Sequence, residues 1–284
     1  MDIRELTQYA KDPKELEAHL LTPDYEFRFK CRRCGKCCKH QDTILFTARD
    51  IFNIAKKLGK TPAQVVRECA EVYIGHSSRI PVVHMVTKGL QQRCPLLLED
   101  GRCSVHDCKP TVCALFPVGR VAAFDRVEDG VLKKENIHVK YIINDITCGS
   151  AKRVNTIRDW LARFGIPEED EFFLVWSTVT ANLGMTVQRL EEHKCSPNLM
   201  DMIWNGIFQT LYLDYDTEQE FFPQFEAAAD KLTKICEDIY RLDQFTKGKG
   251  PLPQNMLDIL AKKSDGLAAV PIPPAGTLGV GFAP

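Results

Sequence analysis

The chain has 284 residues, a formal charge of −1, and 44% apolar and 26% charged side chains, the balance of a folded globular protein. That balance excludes a disordered or fibrous chain, and it leaves no global attraction to nucleic acid or to an anionic membrane. No run of about 18 apolar residues is present and residues 1–21 are charged throughout, so neither a transmembrane helix nor a signal peptide is expected and the chain is placed in the cytoplasm.

Residues 1–24 read as a polar helical lead-in, with Pro13 opening a short helix that carries Leu16 and Leu20. Residues 27–39 are a knot of cysteine and basic side chains. Two punctuated helices follow. The first opens at Thr47 with Asp50 as capping partner, carries Ile51, Ile54, Ala55 and Leu58, and stops at Gly59. The second opens at Thr61-Pro62 with Gln64 as partner, buries Val65, Val66, Cys69, Val72 and Tyr73, and stops at Gly75.

Residues 80–87 alternate like a strand, and two short apolar runs flank Asp100-Gly101, a favoured hairpin turn. If those two residues form the turn, Leu98 faces Cys103 and Cys94 comes beside Cys108. A second hairpin is expected around Asp129-Gly130, with residues 136–143 as another strand. From Ser150 the pattern is helical. Val154, Ile157, Leu161 and Phe164 recur at helical spacing, and further helices open at Pro167, at Ser196-Pro197 and near Glu220. The Pro/Gly-rich end reads as an extended tail.

The expected fold class is α+β: a small cysteine-rich metal-binding domain with short hairpins and two helices, then a helical domain. The expected boundaries are 1–24 for the lead-in, 25–149 for the cysteine domain, 150–245 for the helical domain and 246–284 for the tail.

Twelve cysteines in a chain without an export signal point to metal or catalysis rather than to disulfides. Cys31, Cys34, Cys37 and Cys38 follow a Cys-x2-Cys-x2-Cys-Cys spacing. Its first three match the run by which one ferredoxin loop wraps three corners of a cubane cluster. Adjacent side chains diverge, so one of Cys37 and Cys38 is expected to serve a second site or none. The distant fourth ligand of such clusters often precedes a proline, as Cys94 does. Cys103, Cys108, Cys113 and Cys148 complete nine candidate thiolates, more than one tetrahedral zinc needs. Cys69 and Cys236 fall on apolar stripes and Cys195 is isolated, so these three are read as structural. His40 and His106 adjoin the thiols as further candidates, while His84 and His138 read as ordinary histidines.

Arg28, Lys30, Arg32, Arg33, Lys36 and Lys39 surround the first group with no acid between residues 27 and 41. Such cations lower thiolate pKa and offset the charge of a thiolate-ligated centre. A nucleic-acid patch is the competing reading, and the neutral global charge speaks against it. No nucleotide-binding, zinc-protease or nucleophile-elbow motif is present, and the Cys-x3-Cys-x2-Cys spacing of radical enzymes is absent, so no motif supports S-adenosylmethionine.

Residues 29–38, Cys94-Pro-Leu-Leu with Gly-Arg-Cys103, the stretch from Lys109-Pro to Phe116-Pro117, and Cys148-Gly149 together resemble the YkgJ-type CxxCxxCC cysteine-cluster family, described as zinc- or iron-chelating. The resemblance covers residues 25–149, with His106 where an aromatic is common, Lys109 in place of an arginine and Cys108 as an addition. It implies metal binding. A more distant likeness to flagellin lysine N-methylases implies an iron–sulfur enzyme that methylates protein lysines.

Three functions follow as expectations. The first is a metal-binding protein with an iron–sulfur cluster, of the 4Fe-4S type, or with zinc or mononuclear iron, in a redox or cluster-dependent role. The second is the S-adenosylmethionine-dependent protein lysine methylase. The third is a zinc-stapled module whose helical half binds a protein partner.

Overall fold

The computed structural model describes residues 20–39, 44–124, 127, 128, 130–146 and 148–246. Most of the lead-in, His40, Asp129 of the second expected turn and the tail beyond residue 246 lie outside the described residues.

Strand β1 (Glu26–Lys30) alternates exposed and buried side chains, turning Phe27 and Phe29 inward. After the thiol loop come β2 (Leu45–Phe46) and helix α1 (Ala48–Leu58). Thr47 accepts from the Asp50 N–H, and the Asp50 carboxylate accepts from the Thr47 N–H at 2.9 Å, the expected capping box. Thr61 and Gln64 repeat that box for α2 (Pro62–Cys69).

Helix α2 is shorter than its apolar stripe implies, because Ala70–Ile74 form β3. Val72 and Tyr73 are strand residues: the β-branched and aromatic run pairs antiparallel with β4 (Pro81–Met85), and that partner outweighs helical spacing. With β2 on the other edge the sheet order is β2–β4–β3.

The hairpin around Gly101 forms with a different register from the one expected. Leu98 N–H donates to Arg102 at 2.8 Å, and Leu97, not Leu98, stands opposite Cys103. A three-residue loop with Gly101 at φ 82 replaces the two-residue turn, a common alternative that shifts the pairing by one. Regular pairing ends at Ser104, where the chain enters consecutive turns, so the ladder does not carry Cys94 to Cys108.

Helix α3 (Thr111–Leu115) leads into β5 (Val118–Phe124), which pairs along its full length with β6 (Ile137–Ile143). Residues 150–156, expected to be helical, form β7 (Ser150–Thr156) and pair with β1. Val154 is consequently exposed at 45%. The cause is again non-local: β1 needs a hydrogen-bonding partner, and Asn155 adds a side-chain bond to the Phe29 carbonyl at 2.8 Å. Only α4 (Ile157–Ala162) remains of the expected helix. The later helices form as α5 (Glu171–Glu192), α6 (Pro197–Phe208) with Ser196 as N-cap, and α7 (Phe221–Thr246).

The result is a mixed α+β fold with two cores. The larger packs α1, α2 and the three-stranded sheet against α5–α7, through residues such as Ile51, Val65, Val83, Leu190, Leu211 and Phe225. The smaller gathers Phe27, Phe29, Leu115, Tyr141, Ile157 and Trp160 beneath β1, β6 and α4. Among the described residues no helix is long and apolar enough to cross a membrane.

Candidate metal centre

The loop after β1 is a tight turn imposed by two left-handed residues, Arg33 at φ 51 and Gly35 at φ 68, followed by a 3-10 turn over Lys36–Cys38. Two flanks hold it. On one side the Cys94 N–H donates to the Cys38 carbonyl at 2.8 Å, and a Cβ on Gly35 would stand 3.2 Å from the Gly101 carbonyl. Glycine is therefore required both for the positive φ and for the close approach of the hairpin. On the other side Lys30 pairs with Ser150, which draws Cys148 to the loop. There Gly149, at φ 75, packs so closely that a Cβ would meet the Phe29 ring at 2.5 Å.

Cys113 comes on α3, and Asp50 positions that helix. One Asp50 oxygen completes the capping box of α1, while the other accepts from the Thr111 N–H and hydroxyl, each at 2.8 Å. A carboxylate that is only 3% exposed thus bridges two helix starts.

All twelve cysteines are free. Cys94, Cys103, Cys108 and Cys113 pack against the larger core and Cys148 against the smaller, so the loop with Cys31, Cys34, Cys37 and Cys38 stands where the two cores meet. Cys69 and Cys236 are buried at 4% and 1% exposure, as read from their stripes, and Cys195 sits at the end of α5 away from the loop.

Cys31 Sγ accepts the Arg33 N–H at 3.3 Å, while at Cys94 and Cys103 burial raises the thiol and the Leu96 and Val105 backbone opposes it only in part. At Cys31 the sulfur receives the amide two residues on, an arrangement that orients a metal ligand.

Cys37 is the electrostatic hub. Its sulfur lies 4.0 Å from that of Cys38, so the adjacent side chains converge rather than diverge. A hydrogen bond from Cys38, with Lys109 nearby, holds the Cys37 thiol down to about 6 despite burial. The same bond, then burial and the Cys37 charge, pushes Cys38 up. The two share one proton. Burial is the largest cause that raises Cys94 and Cys148 to about 11 each, and it also raises Cys103, Cys108 and Cys113. Among the described residues no three His, Cys, Asp or Glu side chains are closed around one point.

His106 lines the cavity beside the thiols, where burial, Lys109 and Arg33 hold it below the usual imidazole range and hence neutral. His84 pairs with Glu71 at 3.1 Å and His138 is exposed on β6. The dual role of Asp50 was not legible, because its second partner lies 61 residues away. The spacing of Trp160, Arg163 and Phe164 carried the only signal for the aromatic wall of the cavity, and it reads equally as core.

Residues 30–140 match the model of the CxxCxxCC family, described as a "Putative zinc- or iron-chelating domain". No curated protein and no solved structure matches the chain. The matched stretch holds eight of the nine candidate thiols; Cys148 lies beyond it and joins them through β1–β7 pairing.

Proposed function

With residues 30–140 carrying a zinc- or iron-chelating CxxCxxCC domain, we propose that the chain holds an iron–sulfur centre of the 4Fe-4S type between its two cores, for a redox or cluster-dependent role. Its four ligands come from among Cys31, Cys34, Cys37, Cys38, Cys94, Cys103, Cys108, Cys113 and Cys148. The single observation that carries this reading is the meeting of three thiol-bearing segments: the Cys94 N–H donates to the Cys38 carbonyl at 2.8 Å, and the Lys30–Ser150 pair draws Cys148 to the same loop. A 4Fe-4S cluster takes four thiolates, as a tetrahedral zinc does; the Cys31-x2-Cys34-x2-Cys37 run, with Cys94 before a proline, matches the ferredoxin arrangement and favours iron–sulfur. When bound, such a cluster supplies one-electron transfer. The chain's own residues orient the sulfurs, and Lys36, Lys57 and Lys109 offset their charge.

Anaerobic purification followed by iron, zinc and sulfide analysis tests the proposal. Iron and acid-labile sulfide in matching amounts, with a broad visible absorption, is the expected result. Zinc at one equivalent or more without iron would replace the cluster with a thiolate zinc site.

The thiol equilibria give a second expectation that holds for either metal. At pH 7 Cys37 is ionised, while Cys94 and Cys148, at about 11, are protonated. A four-thiolate site that includes Cys37 should therefore release about three protons per zinc bound. Lower pH keeps those protons in place, so affinity should weaken as pH falls, by about three decades per unit near neutrality. Calorimetry in two buffers of different ionisation enthalpy counts the protons. A release of one or none would mean that the bound thiols are already ionised.

A further inference from the structure

Beside the thiol loop lies a cavity of about 770 Å³, open on one side, with Cys37, Cys113 and Cys148 on one wall. That volume is in the range that holds a small organic molecule. Phe29, Phe116, Trp160 and Phe164 add aromatic rings to the lining.

The charge around it is one-sided. Lys30, Arg33, Lys109, Arg153 and Arg163 all line the cavity, and among the described residues none of the five forms an ion pair. Asp107 is the one carboxylate on the wall, and Lys57 takes it at 2.5 Å. Two of the cations are held by rings instead: Lys109 lies 4.7 Å above Phe164 and Arg163 lies 5.0 Å from the Trp160 ring. Aromatic faces fix a cation without neutralising it. Burial and then the neighbouring Arg153 weigh on the Arg163 charge, with Asp159 opposing them in part.

The metal centre does not absorb this surplus. Four thiolates on a divalent ion or a four-iron cluster leave a net charge of about −2, fewer than the five positive charges that line the cavity. This step alone rests on the proposed metal centre; the unpaired cations and the aromatic wall stand without it.

We propose that the cavity binds a small polyanion, a molecule bearing phosphate or carboxylate groups together with a planar or apolar portion. The anionic groups meet Arg153, Arg163 and Lys109 at the mouth, and the planar portion lies against Trp160 and Phe164. A compact ligand fits this concave site better than a nucleic-acid strand, which would need an extended track.

Calorimetric titration of the metal-loaded full chain with inorganic pyrophosphate, ATP, citrate and uncharged adenosine tests this. We expect ATP or citrate to bind at least about tenfold more tightly than adenosine, with affinity falling as salt rises. Preference for ATP and pyrophosphate assigns phosphate, and preference for citrate assigns carboxylate. Arg163→Gln and Arg153→Gln, both at exposed positions, should each weaken binding about tenfold while metal content and melting temperature stay unchanged. Absence of binding by all three anions at about 1 mM, or undiminished binding by both variants, would overturn the proposal. So would tighter binding of a single-stranded oligonucleotide than of any small anion. Metal content measured on the same sample separates these failures from a failure of the metal centre itself.

Discussion

Replacing Cys37 by serine is expected to cut metal affinity by more than about a hundredfold. Structural zinc sites release roughly 10–16 kcal/mol on binding, so one of four thiolates represents about 3 kcal/mol. Cys37 is the most consequential choice because its charge is felt at Cys38, Cys94, Cys103, Cys113 and Cys148 alike. A serine hydroxyl cannot ionise at neutral pH, so the variant also loses the thiolate that Cys37 supplies in the folded chain. The melting temperature of the loaded protein should fall as well, since the thiols come from both cores. Cys195→Ser is the control and should retain full metal. Competition with a chelator of known affinity measures both variants. Full metal retention by Cys37→Ser would remove that residue from the ligand set.

Asp170→Ala is expected to destabilise the fold by about 3–5 kcal/mol, the loss seen when one partner of a buried ion pair is removed. That is a large share of a total stability of about 5–15 kcal/mol. Asp170 precedes α5 with its side chain 4% exposed, and it receives both Arg49 Nη groups at 2.9 and 2.7 Å and Arg120 at 3.0 Å. Arg49 lies on α1 and Arg120 on β5, so one carboxylate joins three elements. Arg120 is itself 5% exposed, stacks 3.9 Å over Phe173, and has no partner for its Nε among the described residues. Without Asp170 it would be a buried cation facing a second one.

Urea unfolding measures the change, and Asp170→Asn, which keeps the volume and an acceptor oxygen, should fall in between. A loss under about 1 kcal/mol would show that the arginines find other compensation. Burial pushes the Asp170 carboxyl up, but Arg49 and Arg120 outweigh it and hold the group below its ordinary value. Its folded pKa is depressed, so its stabilisation is fully present above the ordinary aspartate value of about 4 and is lost as pH falls further. The alanine variant should lack that acid-dependent component.

Features written in short stretches of chain were legible before the fold was known. Both capping boxes, the starts of α2 and α6 at proline, and the burial of Cys69 and Cys236 follow from neighbours within four residues. So does the grouping of thiols in residues 31–38, since a Cys-x2-Cys turn brings its own sulfurs together. Where the reading failed, a distant partner decided. The apolar stripe of α2 becomes β3 because β4 supplies a ladder, and the helical spacing after Ser150 yields to pairing with β1. A hairpin loop of three residues rather than two moved every pair across Gly101 by one.

By itself the sequence determined that this is an α+β chain with a dense set of free thiols among cations. Spacing and charge are local quantities, and they carry over to the folded chain. Tertiary structure alone decided which thiols meet. Cys148 reaches Cys31 only because β7 completes β1, and Cys113 is held in place only because Asp50 serves two helix starts. Cys37 becomes the hub because backbone bonds from Cys94 and the Gly101 turn press the loop onto the larger core. These contacts span more than 50 residues, a separation over which side-chain periodicity carries no information about pairing.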